Sequence, residues 1–256
     1  MVHLTISRRI LGASLINKRN MSDPELAAII QRYKDEFANE IDEDEIKPLV
    51  LAAIRGRLED VMVLVEHGMD VNEEGFDDEN FHYHTPIIGA VRNGHKQVIE
   101  YLLQHDADPS IVNHEKRTAL HVAVEKTAFY FAGLCHGEED CTNDGLAESV
   151  DIIRLLTENM SPDAINALDH TSLQDIDGQQ TALDIAYYWM WGSTNELVMA
   201  SEIRQEVIQI LRENGALANR FDENGNDVGV GNGDLNTATN GAAGPDDNPP
   251  TALLRF

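Results

Sequence analysis

Apolar residues recur along the chain at the three- and four-residue spacing of amphipathic helices, and the helices come in pairs. One helix of such a pair has its apolar positions at Val98, Ile99 and Leu102, which share one helix face. It follows a shorter helical pattern rich in small residues, such as Ala90. A pair of this size cannot bury its apolar face by itself, so we predict that several pairs stack into one continuous core.

The pair is a repeating unit. A unit begins at Thr85 and again 33 residues later at Thr118. A third copy begins at Thr181, after an insertion of about thirty residues, and an earlier one begins near Lys47. These four starts predict four helix pairs.

Local signals predict where the first helix of a pair begins and ends. We expect the Thr85 hydroxyl to cap the first turn, with Pro86 at the next position, where a missing N–H costs nothing. We expect Gly56 and Gly94 to end this helix in a left-handed conformation. Gly68 should end the second helix in the same way.

Several short motifs agree with this period. They are "TP" at 85–86, "NGH" at 93–95, "TALH" at 118–121, "HGMDVN" at 67–72 and "DGQQTALDIA" at 177–186. Together they resemble the ankyrin repeat family over residues 47–220. The resemblance implies an all-α repeat solenoid: an ankyrin stack of about four helix pairs with β-turn fingers, each unit being a turn, an inner helix and an outer helix.

Two departures from the family pattern stand out. Ile88 and Gly89 replace the usual His-Leu, and Lys116 stands where a turn glycine is common. We expect these changes to weaken the second and third turns as ideal hairpins.

Segments of different composition flank the repeats. Residues 21–46 carry an apolar stripe that includes Leu26, Ile29 and Tyr33, and we predict an N-terminal capping helix there. Residues 1–20 are basic and without acids, which fits a mitochondrial transit peptide, a disordered leader or an extension upstream of a working start at Met21. Residues 221–256 are an acidic segment rich in Gly and Asn, which predicts a disordered tail.

Charge and composition exclude several classes of protein. A net charge of −26 argues against direct binding of nucleic acid, which requires a basic face. It favours a protein partner with a basic patch or tail. Two cysteines are too few for a disulfide scaffold, and no stretch approaches the length of a membrane span. We expect a monomer in the cytoplasm or nucleus, or in mitochondria if residues 1–20 direct import.

The sequence offers little catalytic chemistry. We find no nucleophile elbow, phosphate-binding loop or paired acids, so we expect no enzyme and no cofactor. A weaker alternative is a metal site at His82 and His84, which would share one face of a strand.

The ankyrin resemblance implies a non-catalytic module that binds another protein on its concave face, through turn tips and exposed inner-helix residues. The enlarged turn at 73–84 adds aromatic residues among acids, a composition common in binding hot spots, although these rings could equally pack the turn. The predicted partner-binding residues are Phe76, Phe81, Tyr83, His84, Arg92, Asn93, Arg117, Glu125, Lys126, Gln180, Tyr188 and Trp189.

Two further features leave alternatives open. Two aromatic insertions, at 128–149 and 187–203, either extend the inner helices and pack together as core, or present a second binding surface. In addition, Leu64 and Asp70 stand eight and two residues before Asn72. This spacing resembles the pattern modified by the asparagine hydroxylase that acts on ankyrin repeats, so the chain could instead be a client of that enzyme at Asn72.

Overall fold

A computed structural model of the chain describes six stretches of residues, namely 24–37, 46–76, 83–136, 142–169, 180–188 and 197–219. Within them the chain forms ten helices and one pair of two-residue strands. The elements are α1 (Pro24–Phe37), α2 (Pro48–Ile54), α3 (Leu58–Glu66), β1 (Gly75–Phe76), β2 (Tyr83–His84), α4 (Pro86–Asn93), α5 (Lys96–Gln104), α6 (Ala119–His136), α7 (Asn143–Asn159), α8 (Pro162–Ile165), α9 (Ala182–Tyr188) and α10 (Leu197–Glu213).

The helices form two stacked rows. The inner helices α2, α4, α6 and α9 pack against one another in chain order, and the outer helices α3, α5, α7 and α10 do the same. Each inner helix also packs against the outer helix of its own unit. The buried apolar residues form one continuous cluster from Leu26 to Ala216. The predicted stack of four helix pairs is therefore confirmed.

Glycines end the helices as the sequence predicts. Gly56 and Gly94 adopt φ of +66° and +77°, and Gly68 adopts +86°. The left-handed region is open to glycine at little cost because glycine has no Cβ. Asp106 adopts φ of +67° at the position in the second unit that Gly68 holds in the first. A side chain there carries a steric cost that glycine avoids.

The expected cap at Thr85 is wrong. The Thr85 side chain makes no hydrogen bond to the first turn of α4, and its buried Oγ1 has no hydrogen-bond partner in the part of the chain that the structure describes. In the third unit the hydroxyl of Thr118 lies 2.8 Å from Nδ1 of His121, three residues further on. The second unit has Ile88 at that position, and an apolar side chain offers the hydroxyl no acceptor.

Helix α1 packs against α2 and α3, at the start of the stack. The predicted stripe is buried at Leu26, Ile29 and Tyr33. Tyr33 also donates a 2.8 Å hydrogen bond from its hydroxyl to the Asp60 carboxylate on α3. Arg57 holds Glu36 of α1 through two hydrogen bonds, of 2.8 and 3.1 Å. An apolar seam, one buried hydrogen bond and one exposed ion pair thus join α1 to the first repeat.

The two insertions lengthen helices on both rows. Helix α6 has 18 residues against 8 in α4, which confirms the expected extension of the third inner helix. The outer helices α7 and α10 have 17 residues each against 9 in α5, an extension that the sequence analysis did not predict. The structure ends its description of α9 at Tyr188.

The finger of the second unit is a short antiparallel pair. Gly75 pairs with His84, and Phe76 pairs with Tyr83. Residues 77–82 between them lie outside the described residues, as do the predicted leader at 1–20 and the predicted tail at 221–256.

Candidate partner-binding surface

The predicted surface is built from two parts of each unit. Each finger precedes an inner helix. The ankyrin resemblance implies that the fingers and the exposed inner-helix residues line one side of the stack, which we call the concave face. Residues one before and seven or eight after the start of a unit occupy equivalent places on this face. In the second unit they are His84, Arg92 and Asn93, and in the third unit Arg117, Glu125 and Lys126.

The third finger closes without a glycine. Asn113 accepts hydrogen bonds at its side-chain oxygen from the backbone N–H of Glu115, at 3.0 Å, and of Arg117, at 2.9 Å. Lys116 adopts φ of +61° in this turn, the conformation for which the family pattern places glycine. The Asn113 side chain therefore supplies the turn hydrogen bonds that hold Lys116 in a costly conformation.

Arg117 joins this finger to its neighbours. Its guanidinium donates to both carboxylate oxygens of Glu125 on α6, at 2.7 and 3.3 Å. Its Nε also lies 3.5 Å from the carboxylate of Asp169, which is fully buried beside the fourth unit. Burial by itself lowers the pKa of Arg117, but the charge and hydrogen bond of Glu125 outweigh it, so the pKa is raised. A charged guanidinium therefore ties together the third finger, its inner helix and the next unit.

His121 makes a second link between the third and fourth units. Its Nδ1 accepts from the backbone N–H and hydroxyl of Thr118, at 3.3 and 2.8 Å. Its Nε2 lies 3.2 Å from the carbonyl oxygen of Gln180 and donates to it. Gln180 in turn donates its backbone N–H to Asp169, at 2.9 Å. Burial lowers the pKa of His121, so the ring is held in the neutral form.

In the fourth unit Asp184 takes the place of the histidine. Its carboxylate accepts from the backbone N–H and the hydroxyl of Thr181, both at 2.9 Å. It also accepts from the backbone N–H of Asn219 at 2.9 Å. A carboxylate thus serves the same start-of-helix role and also fastens the segment that follows α10.

In the second unit one longer hydrogen bond joins the finger to the inner helix, at the positions that Arg117 and Glu125 hold in the third unit. Arg92 donates from Nη1 to Nε2 of His84 at 3.3 Å, between the last turn of α4 and the finger. His84 is 1% exposed. His95, at the start of α5, lies with Nε2 2.9 Å from the carbonyl oxygen of Ile54 in the first unit. The first contact joins the second finger to α4, and the second joins the start of α5 to the first unit.

Comparison with known proteins agrees with this architecture. A family model described as ankyrin repeats (3 copies) matches residues 18–110 and 76–144. The chain belongs to the ankyrin repeat family. In the part of the ankyrin chain that the structure describes, no helix is both long enough and apolar enough to cross a membrane.

Relatives match the ankyrin chain over short segments. Human palmitoyltransferase ZDHHC13 is 35% identical over 82 residues, which are 32% of this chain and 12% of that protein. Palmitoyltransferase AKR1 of Lachancea kluyveri is 31% identical over 86 residues, 34% of this chain and 11% of that protein. Ankyrin repeat and SAM domain-containing protein 6 of Rattus norvegicus is 31% identical over 86 residues, which are 32% of this chain and 9% of that protein. The chain spans about a tenth of the length of these relatives.

The structure divides the predicted partner-binding residues into groups. Arg92 and Asn93 at the end of α4, and Glu125 and Lys126 in the first half of α6, are partly exposed. The other three residues whose side chains are described are buried and therefore not exposed as expected. They are His84 at 1%, Arg117 at 9% and Gln180 at 4% exposure. The side chains of His84 and Arg117 bond to the inner helices of their own units, and Gln180 bonds to Asp169 and His121 through its backbone.

The other predicted residues lie outside the description. Phe81 and Trp189 are not among the described residues, and for Phe76, Tyr83 and Tyr188 only the backbone is described. The proposed metal ligand His82 also lies outside. Among the described residues, no group of three or more histidine, cysteine or acidic side chains is arranged to hold a metal ion.

The insertion aromatics divide between core and surface. Tyr187 is 5% exposed and lies between Arg204 and Arg212, whose guanidinium carbons are 5.7 and 5.6 Å from its ring centre. Phe129 on the extended part of α6 is 36% exposed. Core packing is therefore found at α9, whereas α6 presents an aromatic side chain at the surface. Trp191 lies outside the described residues.

Asn72 has a structural role that the sequence analysis missed. Its side-chain nitrogen donates to the carbonyl oxygen of Asp106 at 3.3 Å, and its side-chain oxygen accepts from the N–H of Asp108 at 2.8 Å. Asn166 makes the same pair of bonds to Gly215 and Leu217 in the fourth unit. The asparagine recurring after an outer helix was the available signal. Hydroxylation at Asn72 stays a prediction.

Proposed function

We propose that the chain is a non-catalytic ankyrin module that binds a partner protein on its concave face. The observation that supports this most is the position of Arg117, whose guanidinium contacts the third finger, α6 and Asp169 together. A surface held by such contacts is ordered before a partner arrives. Binding then loses little conformational entropy, which favours affinity.

The residues available for contact are at the end of α4 and in the first half of α6. Arg92, Asn93, Glu125 and Lys126 are partly exposed there, and helices hold their backbone in place. We include Phe76, Phe81, Tyr83, Tyr188 and Trp189 in the proposed surface on their sequence positions, as flanking contacts.

The partner that the net charge favours carries a basic patch or tail. Exposed carboxylates recur after the outer helices, on loops at Asp70, Asp106 and Asp108 and on the short helix α8 at Asp163. A basic patch would meet this edge of the stack, and electrostatic attraction would speed association. We propose that the chain binds as a monomer and does not contact nucleic acid.

The palmitoyltransferase relatives suggest no activity for this chain. The matched segments are about a third of this chain and about a tenth of those proteins. Shared repeats carry a fold between proteins, whereas activity depends on particular sites. We therefore propose a binding role in preference to a catalytic one.

A pull-down with matched variants tests the proposal. The full chain is immobilised in native extract, and retained proteins are identified by mass spectrometry at low and moderate salt. The concave variant carries Asn93→Ala and Lys126→Glu, and the control carries Gln209→Ala and Arg154→Glu on the outer helices. We expect a discrete protein that the control retains and the concave variant loses. Equal retention by both variants, or loss with the control, would contradict binding on the concave face.

The enlarged second finger is tested separately. We expect Phe81→Ala with Tyr83→Ala to weaken the purified complex while the circular dichroism melting curve stays as in the wild type. If affinity is unchanged, the finger is not part of the site.

A second role is that of a hydroxylase client. Asn72 is partly exposed in the loop after α3, which makes its side chain reachable once its two hydrogen bonds to the next loop open. Intact-mass measurement after incubation with an ankyrin-directed asparagine hydroxylase tests this role. An Asn72→Ala chain is the control, and a wild-type mass without one added oxygen excludes the modification at Asn72.

A further inference from the structure

The end of α4 and the middle of α6 form a corner on the concave face with an unusual charge. Arg92 and Glu125 each stand seven residues after the start of their unit, at Thr85 and Thr118, and α4 packs directly against α6. Equivalent positions on packed neighbouring helices are about 8–10 Å apart. Arg92 and Glu125 therefore line one row across the two units.

The charges of Glu125 and Arg92 have different hydrogen-bond partners. Glu125 is compensated, because Arg117 donates to both of its carboxylate oxygens. Arg92 instead donates to Nε2 of His84. A guanidinium can only donate, so Nε2 is the accepting nitrogen of a neutral imidazole. Within the described ranges no carboxylate lies within 4.0 Å of Arg92, so its charge has no ionic partner among those residues.

An aromatic side chain stands beside this charge. Phe129 is four residues after Glu125 on α6 and so shares its helix face. Helix α4 ends at Asn93, the equivalent of Lys126, so α6 continues past the end of its neighbour. Phe129 lies about one turn, roughly 5 Å, beyond that level. Its 36% exposure leaves part of the ring open above the Arg92 row.

Lys126 adds a second cation to the corner. Its ammonium is 5.1 Å from the ring centre of Tyr130, and the side chain is partly exposed. Glu148 of α7 lines the same pocket as Lys126, so Arg92 and Phe129 give the corner its cationic and apolar character in a chain whose net charge is −26. A cation next to an exposed aromatic ring is the composition of a binding hot spot.

We propose that this α4–α6 corner binds an acidic segment of the partner protein, with an Asp or Glu carboxylate on Arg92 and a neighbouring apolar side chain on Phe129. The guanidinium fork matches a carboxylate in two parallel hydrogen bonds. Phosphorylated segments are usually held by clusters of arginine, whereas this corner offers one, so a carboxylate is the better match. The partner then presents an acidic segment here and its basic patch to the loop edge. This inference rests on the proposed function.

Peptide selection on the intact chain tests the proposal. A phage-displayed library of random 12-residue peptides is panned on the full-length wild type, and enriched sequences are synthesised with a fluorescent label. Binding is then measured by fluorescence anisotropy at constant salt. The variants are Arg92→Glu, Phe129→Ala and the control Arg154→Glu, which makes the same charge change on α7, where Arg154 is 47% exposed. Circular dichroism confirms that each variant is folded.

We expect the enriched peptides to combine Asp or Glu with a large apolar residue. Arg92→Glu should weaken their binding about tenfold or more, while Arg154→Glu changes it less than about twofold. Phe129→Ala should weaken it by several-fold.

Several results would overturn the inference. They are basic or phosphate-dependent ligands, equal weakening by Arg92→Glu and Arg154→Glu, and a library without any Arg92-dependent acidic peptide. Partner capture that depends on Asn93 and Lys126 but not on Arg92 would leave the proposed function standing and reject only the acidic segment. Loss of all concave-face binding would reject both.

Discussion

The hydroxyl of Thr118 lies 2.8 Å from Nδ1 of His121, and the same pair of positions recurs at the start of two other inner helices. In the fourth unit the pair is Thr181 and Asp184, at 2.9 Å. In the second unit Ile88 holds the acceptor position, and the buried Thr85 hydroxyl has no hydrogen-bond partner among the described residues. Three threonines of one motif therefore differ in what their hydroxyls contribute to stability.

Replacing these threonines by the isosteric valine should separate the two situations. Thr118→Val should lower the free energy of unfolding by about 1–2 kcal/mol, because it removes a buried hydrogen bond to His121. Thr85→Val should be neutral or stabilising by up to about 1 kcal/mol, because it replaces an unsatisfied buried hydroxyl. Urea unfolding followed by circular dichroism measures both. Equal losses in the two variants would show that the Thr85 hydroxyl is satisfied in solution.

The left-handed lysine of the third finger gives a second prediction. Lys116 adopts φ of +61°, which costs a residue with a Cβ about 1 kcal/mol more than glycine. We expect Lys116→Gly to raise the free energy of unfolding by about 0.5–1 kcal/mol. Lys116→Ala is the matched control, since it removes the same charge and keeps the Cβ. A gain in the alanine variant as large as in the glycine variant would attribute the effect to charge.

Gly56 and Gly215 share a backbone conformation but differ in surroundings. Their φ angles are +66° and +87°. A Cβ on Gly56 would lie 2.5 Å from Nδ1 of His95, whereas nothing lies within 4 Å of one on Gly215. We expect Gly215→Ala to cost about 1 kcal/mol from the backbone alone and Gly56→Ala about 1–3 kcal/mol more from the clash. Thermal melting of both variants tests this, and similar melting temperatures would mean that His95 moves aside freely.

The buried histidines predict how stability depends on pH. Burial lowers the pKa of His121 and of His95 below 6.5. The unfolded chain therefore binds more protons than the folded chain below pH 6.5. The free energy of unfolding attributable to these rings is complete above that pH. It falls as pH decreases towards their folded-state pKa values.

NMR titration of the histidine ring protons tests this directly. We expect the His121 resonance to keep its neutral chemical shift as pH falls through 6.5, the ordinary pKa of an imidazole. A His121 midpoint at or above 6.5 would contradict the buried neutral ring and the hydrogen-bond pattern drawn from it.

Repetition let the sequence determine the architecture. A unit that recurs from Thr85 to Thr118 must stack to bury its apolar face, so the number of helix pairs and the place of Gly94 at a helix end followed from spacing and local backbone preference. The same repeat pattern indicated that Lys116 stands at a turn position where glycine is common. Each of these features is determined either by residues close by in the sequence or by the 33-residue spacing of the repeat.

The tertiary structure decided which side chains of the proposed concave face are exposed. The sequence placed Arg117 and Arg92 alike among the predicted partner-binding residues. Only the structure shows that Arg117 is buried between Glu125 and Asp169 while Arg92 donates to His84. Asp169 is distant in sequence and reaches Arg117 only through stacking of the third and fourth units. Sequence periodicity specifies that a surface forms, and contacts between units determine which charges on it remain for a partner.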